Sequence, residues 1–503
     1  MLTERHAERI RGVLSCFDRM VIMGTLPDIA HAQGFTRELN RRGVRIFDFT
    51  KFAEPLRDRI RDNAERVAKE NGLTIEFIRN AGAFRKEDRV QQIVAERGTK
   101  PGLVHIFSAM ETCSSFKPWY DKAKGTTYLK PDSGRCLHYY FYFIDRDLGL
   151  CHLRVPTWAP FRLQFCMNGH NWLAMRLKRE KIGFKLLDNA FVEIDDFDAA
   201  QQIADSLEPK MLHRKLERFA DEFCPAASDF PAGYHWSLMQ IEYATDIVFK
   251  SRESLAPLYD HLVRSAVHVV RAEHVATFLG KKLDPRYLGE VGNDFSTRIQ
   301  GTRIRHQMGR VALKMYDKFG TILRIETVTN DVSFFKHHRT VEHRDGTKEQ
   351  KLASVKKTLY SLGVLAGLMH AANTRYLEFL SSLDDDTAGR KRLEKLSRRV
   401  YDDHRSYPGL NFFDADDRTL LLALARGEFN LRGVQVRDLR RLLPERSGPQ
   451  LSRQIKRLRQ HGLLRKIGST YRYHLSKLGR LAIAAALRLR EACIAPALAG
   501  APA

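Results

Sequence analysis

The chain has 503 residues, 43% hydrophobic and 29% charged, which excludes a disordered polymer and exceeds one ordinary core; roughly two to four domains are expected. Its 84 Lys and Arg against 60 Asp and Glu give a formal charge of +24, so a polyanionic partner is expected, nucleic acid first. No apolar run reaches about 18 residues, so a membrane span is not expected. The charged start MLTERHAERIRG lacks the apolar core of a secretory signal, and a cytoplasmic location is expected. The seven cysteines (Cys16, Cys113, Cys136, Cys151, Cys166, Cys224 and Cys493) form no CxxC pair, against both a zinc ribbon and a disulfide framework. Neither GxxxxGK[ST] nor GxGxxG occurs, so no nucleotide cofactor is expected.

The spacing of apolar residues predicts an α+β chain. Residues 1–130 read as an α/β region, with strands in FDRMVIMGTL, VRIFDF and GLVHIFSAM and a solvated helix closed by Gly72. Residues 131–400 read as a second, antiparallel-sheet domain. CLHYYFYFID, LCHLRVPTW and FRLQFCMNG are its strands, Asn168-Gly169 signals a tight turn, and HNWLAMRLKREKIG is an amphipathic helix. Residues 200–290 read as mainly helical, a hairpin follows at 303–330, and KLASVKKTLYSLGVLAGLMHAANTRYLEFLSSL reads as a long helix or helix pair. Residues 401–413, with Tyr407-Pro408-Gly409, read as a linker, 414–492 as a separate module and 493–503 as a disordered tail.

In the module, DADDRTLLLALARGEF starts on acidic N-cap residues, and VRDLRRLLP is a second helix stopped by Pro444. In the third helix, SGPQLSRQIKRLRQHGLL, Leu451, Ile455 and Leu458 recur at helical spacing. Two short strands around GST and a last helix complete the order. LRQHGLLRKIGSTYRYHLSKLGR resembles the MarR-type winged helix-turn-helix. That resemblance implies a recognition helix in a major groove, with a wing beside it. Arg453, Lys456, Arg457 and Gln460 are then candidates for base edges or phosphates, and Arg465, Lys466, Arg472 and Lys477 for backbone phosphates. The alternative is a charged helical module that docks protein.

VALKMYDKFGTILRIETVTN alternates apolar and polar residues on both sides of a glycine turn. A five-residue loop, Asp317 to Thr321, would pair Tyr316 with Ile322 and put Lys314, Tyr316, Arg324 and Glu326 on one face. Arg303 and Arg305 could extend the same sheet. KMYDKFGTILRIET resembles the LRxE hairpin of plasmid and phage replication initiators that nick DNA. That resemblance implies Glu326 as a metal ligand and a tyrosine nucleophile elsewhere. Tyr316 is the nearest candidate, and Tyr139, Tyr140 and Tyr142 read as sheet aromatics. The His-hydrophobic-His strand of another nickase type is absent. An ion-pair ladder from Lys314 and Arg324 to Glu326 is the alternative for this face.

YHWSLMQIEYATDIVFK reads as an apolar helix carrying Glu242 and Asp246 one turn apart. Two carboxylates there repel unless a cation or basic side chains sit with them. With Glu326 they form a candidate Mg²⁺ or Mn²⁺ site. Asp18-Arg19, inside an apolar strand, reads as a structural ion pair with a buried partner. The readings of function are a DNA-processing protein of a mobile element, initiator- or nickase-like, with metal-dependent phosphodiester chemistry; a non-enzymatic winged-helix regulator; and an RNA-binding component. DNA ranks ahead of RNA as partner, and an oligomer is compatible with the sequence.

Overall fold

The structure, a computed structural model, describes residues 2–79, 84–283, 289–298, 301–384, 387–402, 405–426, 429, 433–468 and 470–489. The fold is α+β, with a large mixed sheet, small sheets and helices. The chain divides into two compact units, Met1–Asp384 and Asp385–Ala503. The proposed tail 493–503 and Cys493 lie outside the described residues.

The first unit is built on one sheet of eleven described strands. In chain order the described strands of this unit are β1 (Ile10–Thr25), β2 (Ile75–Ile78), β3 (Gly102–Asp121), β4 (Thr126–Asp145), β5 (Gly149–Pro156), β6 (Leu163–Asn168), β7 (Phe184–Leu187), β8 (Ala190–Ile194), β9 (His235–Phe249), β10 (Val291–Arg298), β11 (Gly301–Met308), β12 (Val311–Lys318), β13 (Ile322–Thr329), β14 (Lys336–Glu342) and β15 (Lys348–Ser354). The sheet order is β10-β11-β12-β13-β9-β1-β6-β5-β4-β3-β2, while β7 and β8 form a separate hairpin. Every pairing in the large sheet is antiparallel except β2–β3. The sheet therefore runs through both segments, 1–130 and 131–400, that the sequence reading separates.

Alternation along the strands gives the sheet two faces. On the first, Phe141, Phe165, Ile241, Ile247, Leu323 and Ile325 are buried in one large core. Phe141 stacks on Phe223 of the helix Pro209–Phe223 at 4.5 Å between ring centroids. Asn373 of the helix Leu362–Asp384 donates to the Tyr243 carbonyl and to Thr245 Oγ1, both at 3.1 Å. The second face is partly polar. Helix Lys86–Arg97, helix Gly169–Arg179 and the β7–β8 hairpin lie over it.

Several elements differ from expectation. VRIFDF forms a 3-10 turn, Ile46–Asp48, leading into the helix Phe49–Glu70, not a strand. Asn168 makes no tight turn; its side chain caps the helix Gly169–Arg179 by accepting from the His170 N–H. Residues 235–249 form β9 rather than a helix, because β1 and β13 flank them on both sides. The start of the expected long helix is instead the strand Lys348–Ser354, paired with Lys336–Glu342.

The 311–330 hairpin forms, with a register two residues from the expected one. Lys318 pairs with Ile322 and Tyr316 with Arg324. Phe319 and Gly320, at φ 58° and 73°, make the loop tighter than five residues. A slip of two keeps every side chain on its own face, so the expected shared face of Lys314, Tyr316, Arg324 and Glu326 survives with changed partners. Arg303 and Arg305 do join the sheet, on β11, with Arg305 opposite Lys314.

In the second unit the helices Ala415–Leu424, Val436–Leu442 and Gly448–Gln460 precede the hairpin Leu464–Lys466/Tyr473–Leu475 and the helix Lys477–Leu489. Asp414 caps the first helix and Ser447 the third. Leu451, Ile455 and Leu458 point into a shared core with Leu420, Leu424 and Leu439. The expected linker contains the paired strands Val400–Asp402 and Arg405–Tyr407.

Candidate functional site

The site begins with an irregularity in the middle of the sheet. Phe17 pairs with Tyr243, but Met20, three residues on, pairs with Ile241, only two residues back. Asp18 and Arg19 thus share the space opposite Glu242, which is a β-bulge. Phe17 and Met20 both belong to the core, so the extra residue sends Asp18 and Arg19 together to the second face. Gly169 allows the next helix to approach: a Cβ there would lie 2.1 Å from the Phe17 carbonyl oxygen. That approach brings His170 against Asp18.

Asp18, Glu242 and Glu326 each offer a carboxylate oxygen, and these oxygens lie within 4.8 Å of one another. This acidic triad could hold a metal ion. All donors are oxygen, the set that hard divalent cations take. The expected trio was Glu242, Asp246 and Glu326. Asp18 takes the place of Asp246, whose two oxygens both face Arg324. Arg324 lies opposite Asp246 on the neighbouring strand, and its Nε and Nη2 donate to the two Asp246 oxygens, each at 2.6 Å. Arg324 also donates to Asp18 Oδ2 (3.3 Å) and to the Asn189 carbonyl (2.7 Å), and it is 0% exposed. Arg324 thus fixes Asp18 and Asp246 from within rather than lining the cavity.

Four carboxylates in this region face three basic side chains, Arg324, His170 and Lys314. Lys314 Nζ donates to Glu326 Oε2 at 2.7 Å and lies 3.9 Å from Glu242 Oε1. Lys314 thus holds the place nearest to that of a metal. The Lys314 arm of the expected ladder forms; the Arg324–Glu326 arm does not. Burial pushes the Glu326 carboxyl up to about 7; Lys314 opposes this, while Asp18 and Glu242 add to it. Asp18 goes the other way. Burial would raise it, but the adjacent His170 ring, the Arg324 charge and Asn189 outweigh burial and hold it well below the carboxylate range. Burial likewise disfavours a charged His170, yet Asp18 Oδ1 at 3.2 Å and Asp246 Oδ2 at 3.7 Å raise its pKa. Asn168 and Asn189 donate to Asp18 Oδ1 at 2.6 and 2.8 Å, and Asn189 reaches Oδ2 as well at 2.8 Å.

Tyr316 lies opposite Arg324 on the same face. Burial, and then the Glu326 charge, raise its hydroxyl well above the ordinary tyrosine value. A phenol so disposed keeps its proton at neutral pH and is a poor nucleophile. Tyr139, Tyr140 and Tyr142 are buried in the sheet, as their aromatic run implied. Asp18 and Arg19 do not pair with each other: Asp18 is buried and Arg19 exposed. Beside the triad a cavity of about 550 Å³ opens on the second face, with Asp18, Glu242, Arg19 and Lys178 in its lining.

The expected nucleic-acid contacts of the second unit divide into two groups. Arg453, Arg465, Lys466 and Lys477 are exposed, and Lys466 lies over the Tyr471 ring at 5.5 Å. Lys456 is also exposed and sits over Tyr407 at 5.7 Å. Arg459, which the sequence reading passed over, is exposed on the same helix. Arg457 is different. Its guanidinium donates to both Asp417 oxygens, at 2.6 and 2.8 Å, and to the carbonyls of Pro408 and Gly409, tying the third helix to the first. Gln460 donates to Asp402 at 2.6 Å. Arg457 and Gln460 are thus committed within the unit, and Arg472 is partly buried. Among the described residues no helix is long and apolar enough to cross a membrane. No protein-family model matches the chain, and no curated protein matches it.

Proposed function

We propose that this protein processes nucleic acid, DNA ahead of RNA, by metal-dependent phosphodiester chemistry, in the manner of a replication initiator or nickase. The observation that carries the reading is the convergence of Asp18, Glu242 and Glu326 within 4.8 Å beside an open cavity, in a chain of charge +24. A bound Mg²⁺ or Mn²⁺ would polarise a phosphate oxygen there. Glu242, the least buried of the three, faces the cavity. Lys314 and Arg19 would offset the negative charge that grows on phosphorus oxygens during attack. Since Tyr316 keeps its proton, water is the favoured nucleophile, cleaving one P–O bond. The second unit, resembling a MarR-type winged helix, would supply affinity through Arg453, Lys456, Arg459, Arg465, Lys466 and Lys477.

One observation favours a second reading. The Asp18 oxygens already accept from Asn168, Asn189 and Arg324, so a metal must displace one of these donors. A cluster satisfied without metal suits a non-enzymatic regulator. Supercoiled plasmid incubated with the protein and Mn²⁺ or Mg²⁺ decides between them. Nicking that is lost in Glu242→Gln and Glu326→Gln supports the enzyme. Tight binding without cleavage under either metal supports the regulator, and preference for structured RNA supports the RNA-binding reading.

A further inference from the structure

The cavity beside the triad crosses the sheet from Glu242 on β9, past β1, β6 and β5, to Tyr142 on β4. Four strand spacings make that about 19 Å. Its volume, about 550 Å³, lies among those that enclose one small ligand. The two ends differ chemically. At the triad end stand Asp18, Glu242 and Arg19, while Lys178 lines the cavity beside Arg179, which pairs with Asp147 between β4 and β5. Arg19 is exposed and makes no ion pair among the described residues. Towards β4 the walls become aliphatic: Val90 and Val94 from the helix Lys86–Arg97, Met175 from the helix Gly169–Arg179, and Ile144 and Leu150 from the sheet.

Two polar atoms in this lining lack partners. The Tyr142 hydroxyl is buried, its residue 3% exposed, and has no partner within hydrogen-bond geometry although Glu87 stands near it. Asn189 Oδ1 is also unpaired, while its amide nitrogen serves Asp18. Buried polar atoms left open are costly, and they mark where a ligand atom completes the site.

We infer that this cavity receives one unstacked nucleotide, its base in the aliphatic slot under Tyr142 and its phosphate at the Asp18–Glu242 end. A planar base suits flat aliphatic walls, and its polar edge supplies a partner for the Tyr142 hydroxyl, while Asn189, bound to Asp18, stands at the phosphate end. Arg19 flanks the phosphate. A paired base in a duplex cannot enter without leaving its stack, so the substrate is single-stranded, locally opened or a free nucleotide. The phosphate end of this inference rests on the metal reading above; the slot's lining does not.

The experiment uses the full chain and titrates, in order, Mn²⁺ alone, dAMP and AMP, a ten-residue single strand carrying one 2-aminopurine, and the matching duplex. Calorimetry reads affinity and 2-aminopurine fluorescence reads unstacking. Wild-type protein binds the single strand with a fluorescence rise and prefers it at least tenfold to the duplex. Tyr142→Phe weakens that binding about tenfold, as does Val94→Trp, which fills the slot, and neither changes Mn²⁺ affinity. Binding of dAMP or AMP as well identifies a free nucleotide as ligand; binding of the strand alone identifies a nucleotide held in a polymer. Mn²⁺ binding with single-strand affinities unchanged in both variants overturns the slot and leaves the metal reading standing. Loss of Mn²⁺ binding in the wild type, with Val94→Trp still weakening the nucleotide, overturns the metal reading and supports the slot.

Discussion

Arg324 and Asp246 face each other directly across β13 and β9 and share two hydrogen bonds of 2.6 Å, both residues almost wholly withdrawn from water. The pair is the buried anchor of the site: through Arg324 it also reaches Asp18, one of the three converging carboxylates. Removing one partner strands charge in the interior. Arg324→Met should therefore destabilise the first unit by about 3–5 kcal/mol. Arg324→Lys should fare little better, because an ammonium cannot reproduce the two-pronged geometry. Adding Asp246→Leu to Arg324→Met should recover part of the loss. Urea unfolding midpoints check this; a loss below about 1 kcal/mol in Arg324→Met would show that the pair is not the anchor.

The pH dependence of stability should carry the signature of Glu326. Its pKa is pushed up to about 7 by burial and by Asp18 and Glu242, against Lys314, whereas the ordinary value is 4.5. The folded state thus binds the proton more tightly than the unfolded chain. This contribution to stability is full below the unfolded value and is lost as pH rises through about 7. The span corresponds to roughly 3 kcal/mol. Glu326→Gln should flatten the curve over this window. Midpoints at several pH values, in both proteins and without metal, make the comparison. Metal binding should in turn release close to one proton at pH 6, measurable from calorimetry in buffers of different ionisation enthalpy.

Lys314 competes with any cation for Glu326 and Glu242. Lys314→Met should tighten Mn²⁺ binding about tenfold or more, since removing a positive charge favours a second one in its place. If the same substitution also abolishes nicking, Lys314 contributes to charge stabilisation as well as to electrostatic balance. Calorimetry and the plasmid assay separate the two effects.

In the second unit, exposed and committed basic residues should behave differently. Arg453→Ala, Arg465→Ala and Lys466→Ala should each weaken DNA binding and lower the slope of log affinity against log salt by about one, with unfolding midpoints unchanged. Arg457→Ala should instead destabilise that unit by about 2–4 kcal/mol, because Asp417 and two carbonyls lose their donor. Fluorescence anisotropy across salt concentrations, with thermal melts, tests both.

How much of this is legible in one sequence depends on sequence distance. The shared face of Lys314, Tyr316, Arg324 and Glu326 is readable because alternation along a hairpin is local, and a register slip of two leaves it intact. Glu242 and Asp246 are read on the wrong element, yet still as neighbours. Positions i and i+4 share a face in a strand as well as in a helix. What overrides the helical reading is pairing with β1 and β13, segments far away in the chain. Asp18 is missed for the same reason: its partners Asn168, His170, Asn189 and Arg324 are 150 to 306 residues distant. A lone acid in the apolar strand FDRMVIMG is the local sign of it, but the bulge that turns it toward Glu242 exists only once β9 is in place. Arg457 is likewise indistinguishable from Arg453 by composition, and only Asp417 on another helix separates their roles.

The most direct measurement is anomalous scattering from crystals of the full chain grown with Mn²⁺, recorded above the manganese edge. A peak about 2.1–2.2 Å from oxygens of Asp18, Glu242 and Glu326, with Lys314 drawn back from Glu326, is the result expected. Manganese absent from that position, with Lys314 still on Glu326 and the Asn168, Asn189 and Arg324 bonds to Asp18 intact, would contradict it.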